Sequence, residues 1–290
     1  MMSYDTLRRF ILESTNVRGE WVSLEAAWQA LLERHEYPPV VRDLLGQALA
    51  AVALLSATIK FDGSLILQVT GNGPLNLLVV QANGRGNVRG LARWQSEVPA
   101  SGLAAQFGDG RMVMTIDPGE GRDRYQGIVP LEGDTLAQAL EGYFSRSEQL
   151  PTRLWLAADG RRAAGLLLQS LPGEQRDPDA FNRAVVLAET LKPDELLDLP
   201  VETVLHRLYH EEDVRLYEGT PVSFRCSCSR ERVADMLRNL GYAEVRGVLE
   251  DEGVVEVHCE FCNAGYRFDT VDAEQLFAAG ESPPGTRTRH

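Results

Sequence analysis

Apolar residues recur at helical spacing over Leu24 to Arg34 and again over Val40 to Thr58, and Pro38-Pro39 parts the two runs. The pattern predicts two helices broken at the prolines. Beyond them the period changes. Ser64 to Thr70, Leu75 to Gln81 and Asn87 to Arg93 are strand-length apolar runs, separated by Gly71-Asn72-Gly73-Pro74 and Asn83-Gly84-Arg85-Gly86. Separators of this kind predict hairpins, with glycine and asparagine supplying positive φ at the turns. Further strands are expected at Arg111 to Asp117, Arg124 to Pro130, Thr152 to Ala157 and Ala163 to Leu171, with a helix at Thr135 to Gln149. Short strands joined by tight turns, with helices packed on them, predict an α+β class whose N-terminal mixed-sheet domain covers residues 1–177.

Pro172-Gly173-Glu174-Gln175-Arg176-Asp177-Pro178 is loop-forming and marks the expected boundary. Asp179 to Tyr217 then reads as helices interrupted near Pro193 and Pro200, and residues 178–217 are assigned to a helical linker. The run from Asp179 to Tyr217 holds nine acidic and four basic side chains, amphipathic but short of packing mass. Such a segment either serves as an ordinary connector or folds against a neighbour and comes loose when that neighbour goes. Residues 218–290 form a third part: a helix from an N-cap at Ser229 to Leu240, ended by Gly241, a hairpin from Gly253 to His258 and Gly265 to Asp269, and a short helix from Asp272 to Ala279. So small and charged a module has a thin core.

Composition narrows the functional classes. Hydrophobic residues make up 44% of the 290 residues and charged residues 24%, as in ordinary folded proteins. The longest apolar stretch, Leu44 to Ile59, is interrupted by Gln47 and stops at Lys60, which reads as too short to span a bilayer. A net charge of −13 disfavours nucleic acid as a partner, and residues 218–290 are themselves negative, with thirteen acidic and eight basic side chains. No Walker loop, dinucleotide fingerprint or nucleophile elbow occurs, so no enzyme class gains support. The N-terminus shows no basic stretch followed by an apolar core, and the chain reads as cytoplasmic.

The chemistry is concentrated in four cysteines within 37 residues: Cys226 and Cys228 as C-x-C, Cys259 and Cys262 as C-x-x-C, with a 30-residue spacer. Three readings compete for them: a disulfide framework, a structural zinc site, and a zinc site built to be lost on oxidation. A reducing compartment disfavours resting disulfides. Two thiolate pairs suit tetrahedral zinc, since residues i and i+2 of an extended segment point the same way and a C-x-x-C turn converges its sulfurs. His258 is expected to face away from the site, opposite to Cys259 in strand alternation, and the other histidines are scattered. A thiolate cluster is also an oxidation target, so the sequence permits a switch without demanding one. A thiol oxidoreductase reading lacks the βαβ context that C-x-x-C needs there.

The strings Arg225-Cys226-Ser227-Cys228-Ser229-Arg230-Glu231-Arg232 and Cys259-Glu260-Phe261-Cys262, with Tyr266-Arg267-Phe268 after them, resemble the bacterial thirty-three-kilodalton redox-regulated heat-shock chaperone family. Leu54-Leu55-Ser56-Ala57-Thr58-Ile59-Lys60-Phe61-Asp62-Gly63 and Gly71-Asn72-Gly73-Pro74-Leu75 look like the same family, while Gln47 and Thr70 depart slightly from its pattern. The resemblance spans nearly the whole chain. It implies an ATP-independent holdase, inactive while reduced with one zinc ion on Cys226, Cys228, Cys259 and Cys262. It further implies that oxidation forms the bonds Cys226–Cys228 and Cys259–Cys262, releases zinc and loosens the linker, exposing apolar surface to unfolding client proteins and favouring a homodimer. The alternative is a zinc module that does not switch, on a cytosolic binding or regulatory protein.

Overall fold

The computed structural model describes residues 5–13, 15–58, 63–119, 122–172 and 177–278. Residues 59–62 of the family-like string, 173–176 of the boundary loop, Ala279 and the tail from 281 lie outside the described residues. The chain divides into two compact units, Met1–Arg225 and Cys226–His290, and residues 178–217 fall inside the first.

The first unit opens with strands β1 (Thr6–Leu12) and β2 (Val17–Leu24), then helices α1 (Ala26–Leu32) and α2 (Pro39–Ser56). Strands β3 (Ser64–Thr70), β4 (Leu75–Asn83) and β5 (Asn87–Trp94), the short helix α3 (Leu103–Phe107), and strands β6 (Arg111–Asp117) and β7 (Tyr125–Pro130) follow. Helix α4 (Leu136–Tyr143) runs into a π-turn over Phe144–Glu148, before β8 (Thr152–Ala158) and β9 (Ala163–Ser170). Helices α5 (Ala180–Ala188), α6 (Pro193–Asp198) and α7 (Val201–Tyr209) and the short strands β10 (Val214–Leu216), β11 (Thr220–Pro221) and β12 (Ser223–Phe224) complete the unit. The expected α+β class holds.

One sheet runs β10-β1-β2-β9-β8 with β11 also on β1, and the other runs β12-β5-β4-β3-β6-β7. Between them lies α2. Its length and composition would suit a membrane-crossing helix, against the sequence expectation, yet 67% of it is buried as the core helix of this unit. Leu45, Leu49, Val52 and Leu55 pack with Leu67 and Val80 of one sheet and Val22 and Leu167 of the other. Strand β3 shows why alternation was readable: Leu65, Leu67 and Val69 are buried and the residues between them are not.

The far face of the β1-β2-β9-β8 sheet is covered by α5–α7. Phe10, Leu12, Val17, Trp21, Ala157, Ala164, Leu166 and Leu168 of the sheet form one apolar cluster with Ala180, Ala184, Val185, Ala188, Leu191, Leu196, Val201, Val204, Leu205, Leu208 and Tyr209. The linker segment therefore carries more packing than its composition alone suggested. The breaks near Pro193 and Pro200 are present, but Val214–Leu216 is a strand on β1 rather than helix.

The turn at Gly71–Pro74 joins the antiparallel pair β3–β4, as expected, but for a different physical reason. Neither Gly71 nor Gly73 has positive φ. A Cβ on Gly71 would stand 2.0 Å from the Phe107 carbonyl oxygen, and one on Gly73 2.6 Å from that of Gln106. Glycine is required because α3 lies against this turn.

Glu20 is an anomaly of β2. It is 1% exposed, and burial pushes its carboxyl up to about 7, opposed by the nearby charges of Arg18 and Arg9. A raised carboxyl favours folding below the unfolded value near 4.5 and loses that contribution as pH rises through 7. Glu20→Gln should accordingly stabilise the first unit at pH 8, by up to about 3 kcal/mol, and change little at pH 4. Thermal unfolding at the two pH values checks it.

Candidate metal and thiol centre

The second unit contains helices α8 (Arg230–Leu240) and α9 (Tyr242–Glu252), the hairpin of β13 (Val255–His258) and β14 (Gly265–Phe268), and α10 (Thr270–Ala278). Its core is small: Val233, Ala234, Leu237, Val245, Val255, Phe268, Ala273 and Leu276.

Cys226 and Cys228 lie just before α8, whose N-cap Ser229 accepts a hydrogen bond from the Arg232 amide at 3.3 Å. Arg232 also donates to Ser227 Oγ at 2.7 Å, fixing the middle residue of the C-x-C. Cys259 and Cys262 occupy the β13–β14 turn. The Cys259 amide donates to the Ala264 carbonyl at 3.0 Å, the Asn263 amide to the Cys259 carbonyl at 2.7 Å, and Asn263 takes the left-handed conformation (φ 56°) that closes the turn. Arg230 joins the two halves. It lies over the Phe268 ring at 4.2 Å, donates to the Arg267 carbonyl at 2.7 Å and pairs with Asp272 at 2.8 Å.

These supports bring all four thiols together, each half-buried, with every Sγ within 4.8 Å of the others. Two close separations run between half-sites: Cys226 to Cys259 at 3.6 Å and Cys228 to Cys262 at 3.3 Å. Burial is the largest cause raising the Cys259 thiol, and it pushes the Cys262 thiol up to about 12 with help from neighbouring thiols. Thiolates crowded this closely are disfavoured unless a cation compensates them, and four such donors could hold one metal ion. His258 is not among them. It is exposed, with Nε2 3.8 Å from Glu256.

Sequence reasoning assigned no role to Tyr266. Its hydroxyl donates to Cys228 Sγ at 3.1 Å, and that contact is the main cause pushing the phenol up to about 12. The hairpin register, which pairs Tyr266 with Val257 and sets it on the face of Phe268, places it there, and residue spacing alone carries no signal of it. Tyr266→Phe is expected to weaken metal retention about tenfold, at the lower end of the range for outer-shell partners. Competition with a chelator measures it.

The sequence profile of the Hsp33 protein family matches residues 5–269. The chain is 53% identical over 290 residues to a 33 kDa chaperonin of Nitrosococcus oceani, and 50% identical over 298 residues to one of Azotobacter vinelandii, with all of each chain covered in both cases. In fold it resembles the crystal structure of the 33 kDa chaperonin (heat shock protein 33 homolog) of Thermotoga maritima, with a TM-score of 0.83 at 23% identity, covering 97% of this chain and 100% of that one.

Proposed function

This chain belongs to the Hsp33 family, and from that premise we propose that it is a cytoplasmic, ATP-independent holdase chaperone switched on by oxidation at Cys226, Cys228, Cys259 and Cys262. The observation that carries the reading is the convergence of the four thiols within 4.8 Å of one another. Around a tetrahedral zinc ion, sulfurs bonded at about 2.3 Å stand roughly 3.8 Å apart. The separations of 3.6 and 3.3 Å, and the 4.8 Å limit, fit that donor set. Zinc bound there would neutralise the thiolates and hold the two half-sites of a small core together.

Oxidation takes two electrons from each thiolate pair and forms one disulfide. Hydrogen peroxide accepts them with two protons from solvent and becomes two waters, and hypochlorous acid accepts them with one proton and becomes chloride and water. The family resemblance assigns the bonds Cys226–Cys228 and Cys259–Cys262, and the 4.8 Å limit leaves both within reach. All four ligands are consumed together, so the metal site is abolished.

Chain continuity supplies a route from this chemistry to the linker. Arg225, whose amide donates to the Val88 carbonyl at 3.0 Å, immediately precedes Cys226. Upstream of it, β12, β11 and β10 hold the segment that follows α7. In the proposed organisation, residues 1–177 are the platform, 178–217 the metastable linker and 218–290 the switch. Loosening α5–α7 uncovers the apolar sheet face that includes Phe10, Trp21, Leu166 and Leu168, which would take unfolding client proteins. The same exposed face favours a homodimer of the oxidised form.

The test is suppression of client aggregation by reduced, metal-loaded protein before and after peroxide at heat-shock temperature. The reading expects suppression only after oxidation. Suppression before oxidation that oxidation destroys would favour a module that does not switch.

A further inference from the structure

Several arginines of the first unit face the acidic linker segment, and one differs from the rest. The Arg162 side chain is only 10% exposed and bridges two carboxylates, Glu25 at 3.0 Å and Asp198 at 2.9 Å. It also donates to the Leu197 carbonyl at 3.4 Å. Leu197 and Asp198 end α6, where carbonyls lack helical partners and the helix dipole attracts a cation. Glu25 sits at the start of α1.

The two sides of this contact differ in how they are anchored. Arg162 ends the β8–β9 turn, where the Asp159 carboxylate accepts from the amides of Arg161 at 2.7 Å and Arg162 at 2.6 Å. Trp28 Nε1 donates to the Asp159 carbonyl at 2.8 Å, and Gln29 Nε2 donates to the carbonyls of Gly160 and Arg161, each at 2.9 Å. The arginine is thus mounted on a braced turn, while Asp198 and Leu197 belong to the segment proposed to loosen. Arg161 reaches the same Asp198 oxygen at 3.0 Å, but both of those side chains are 60% exposed and solvent screens the pair.

We propose that Arg162 is a positioning residue that latches α6 to the β8–β9 turn and thereby sets how readily the linker opens. The assignment rests on the linker-loosening reading above. Lifting α6 takes Asp198 and the Leu197 carbonyl away from a largely buried guanidinium, so opening is resisted at this point more than at any screened surface pair.

The test compares reduced, metal-loaded full-length Arg162→Met, Asp198→Asn and Arg161→Met with the parent chain by residue-resolved hydrogen exchange. Arg162→Met and Asp198→Asn should speed exchange across 180–209 at least about tenfold, with metal retained and α2 amides unchanged. Arg161→Met should stay within about twofold of the parent. The latch is overturned if Arg162→Met and Asp198→Asn match the parent, or if α2 exchanges faster to the same degree, which marks general destabilisation. Should Arg162→Met fail to fold, Asp198→Asn decides. Oxidised parent protein run alongside tests the underlying reading separately: protection of 180–209 retained there contradicts linker loosening, whereas the latch is judged on the reduced variants alone.

Discussion

Leu208→Asp is expected to free α5–α7 while all four cysteines remain reduced and metal-loaded. Leu208 is 4% exposed in the cluster between α7 and the sheet. Deleting such a side chain costs about 2–5 kcal/mol, and an unpaired carboxylate left in the seam adds several kcal/mol more. Those sums rival the total stability of an ordinary domain, roughly 5–15 kcal/mol. In the proposed reading the linker is the part that yields, leaving the two sheets around α2 folded. Light scattering of an aggregating client should then show suppression without oxidant, with metal still bound. Leu208→Ala, lacking the charge, should give a partial effect. A Leu208→Asp protein as inactive as the reduced parent would separate the linker from activity.

Metal removal from the reduced protein should unfold the second unit and leave the first intact. Among the described residues eight core residues are buried in the module, and α9 contributes Val245 alone. Zinc binding in small thiolate modules is worth about 10–16 kcal/mol at neutral pH, which exceeds what so small a core supplies. Chelation should therefore remove the helical circular-dichroism signal of α8–α10 while α2 stays protected. The raised thiols of Cys259 and Cys262 give the sign of the pH dependence. Each must lose a proton to bind, so retention weakens as pH falls, by roughly tenfold per unit for each proton released. Chelator competition at pH 6 and pH 8 checks this.

Parts of the fold were plain from pattern because local signal and tertiary role agree there. Strands β3 and β6 match their expected limits, and α8 begins at the expected N-cap Ser229 and ends at Gly241. Strands β1 and β2 were not identified. The adjacent Arg8 and Arg9 break the apolar alternation of β1, and in β2 the burial of Glu20 is decided by neighbouring strands. Helix α9 was also missed, since Glu244, Arg246 and Glu250 to Glu252 make it polar on nearly every side. Strands β10–β12, two or three residues each, are shorter than any periodic window. The linker looked lightly packed because the other half of its core comes from Phe10, Trp21 and Leu166, far away in sequence. At the site, cysteine spacing announced the four donors. The close approach of the half-sites and the Tyr266 hydrogen bond depend on hairpin register and on the seating of α8 against β14, which spacing does not encode.

The central claim is that chemistry at the four thiols is transmitted to residues 180–209. Residue-resolved hydrogen exchange through that segment, followed during peroxide treatment at heat-shock temperature alongside metal release, tests it most directly. The account predicts that protection across α5–α7 is lost as the metal leaves and that α2 remains protected. Complete metal release with α5–α7 still protected would contradict it.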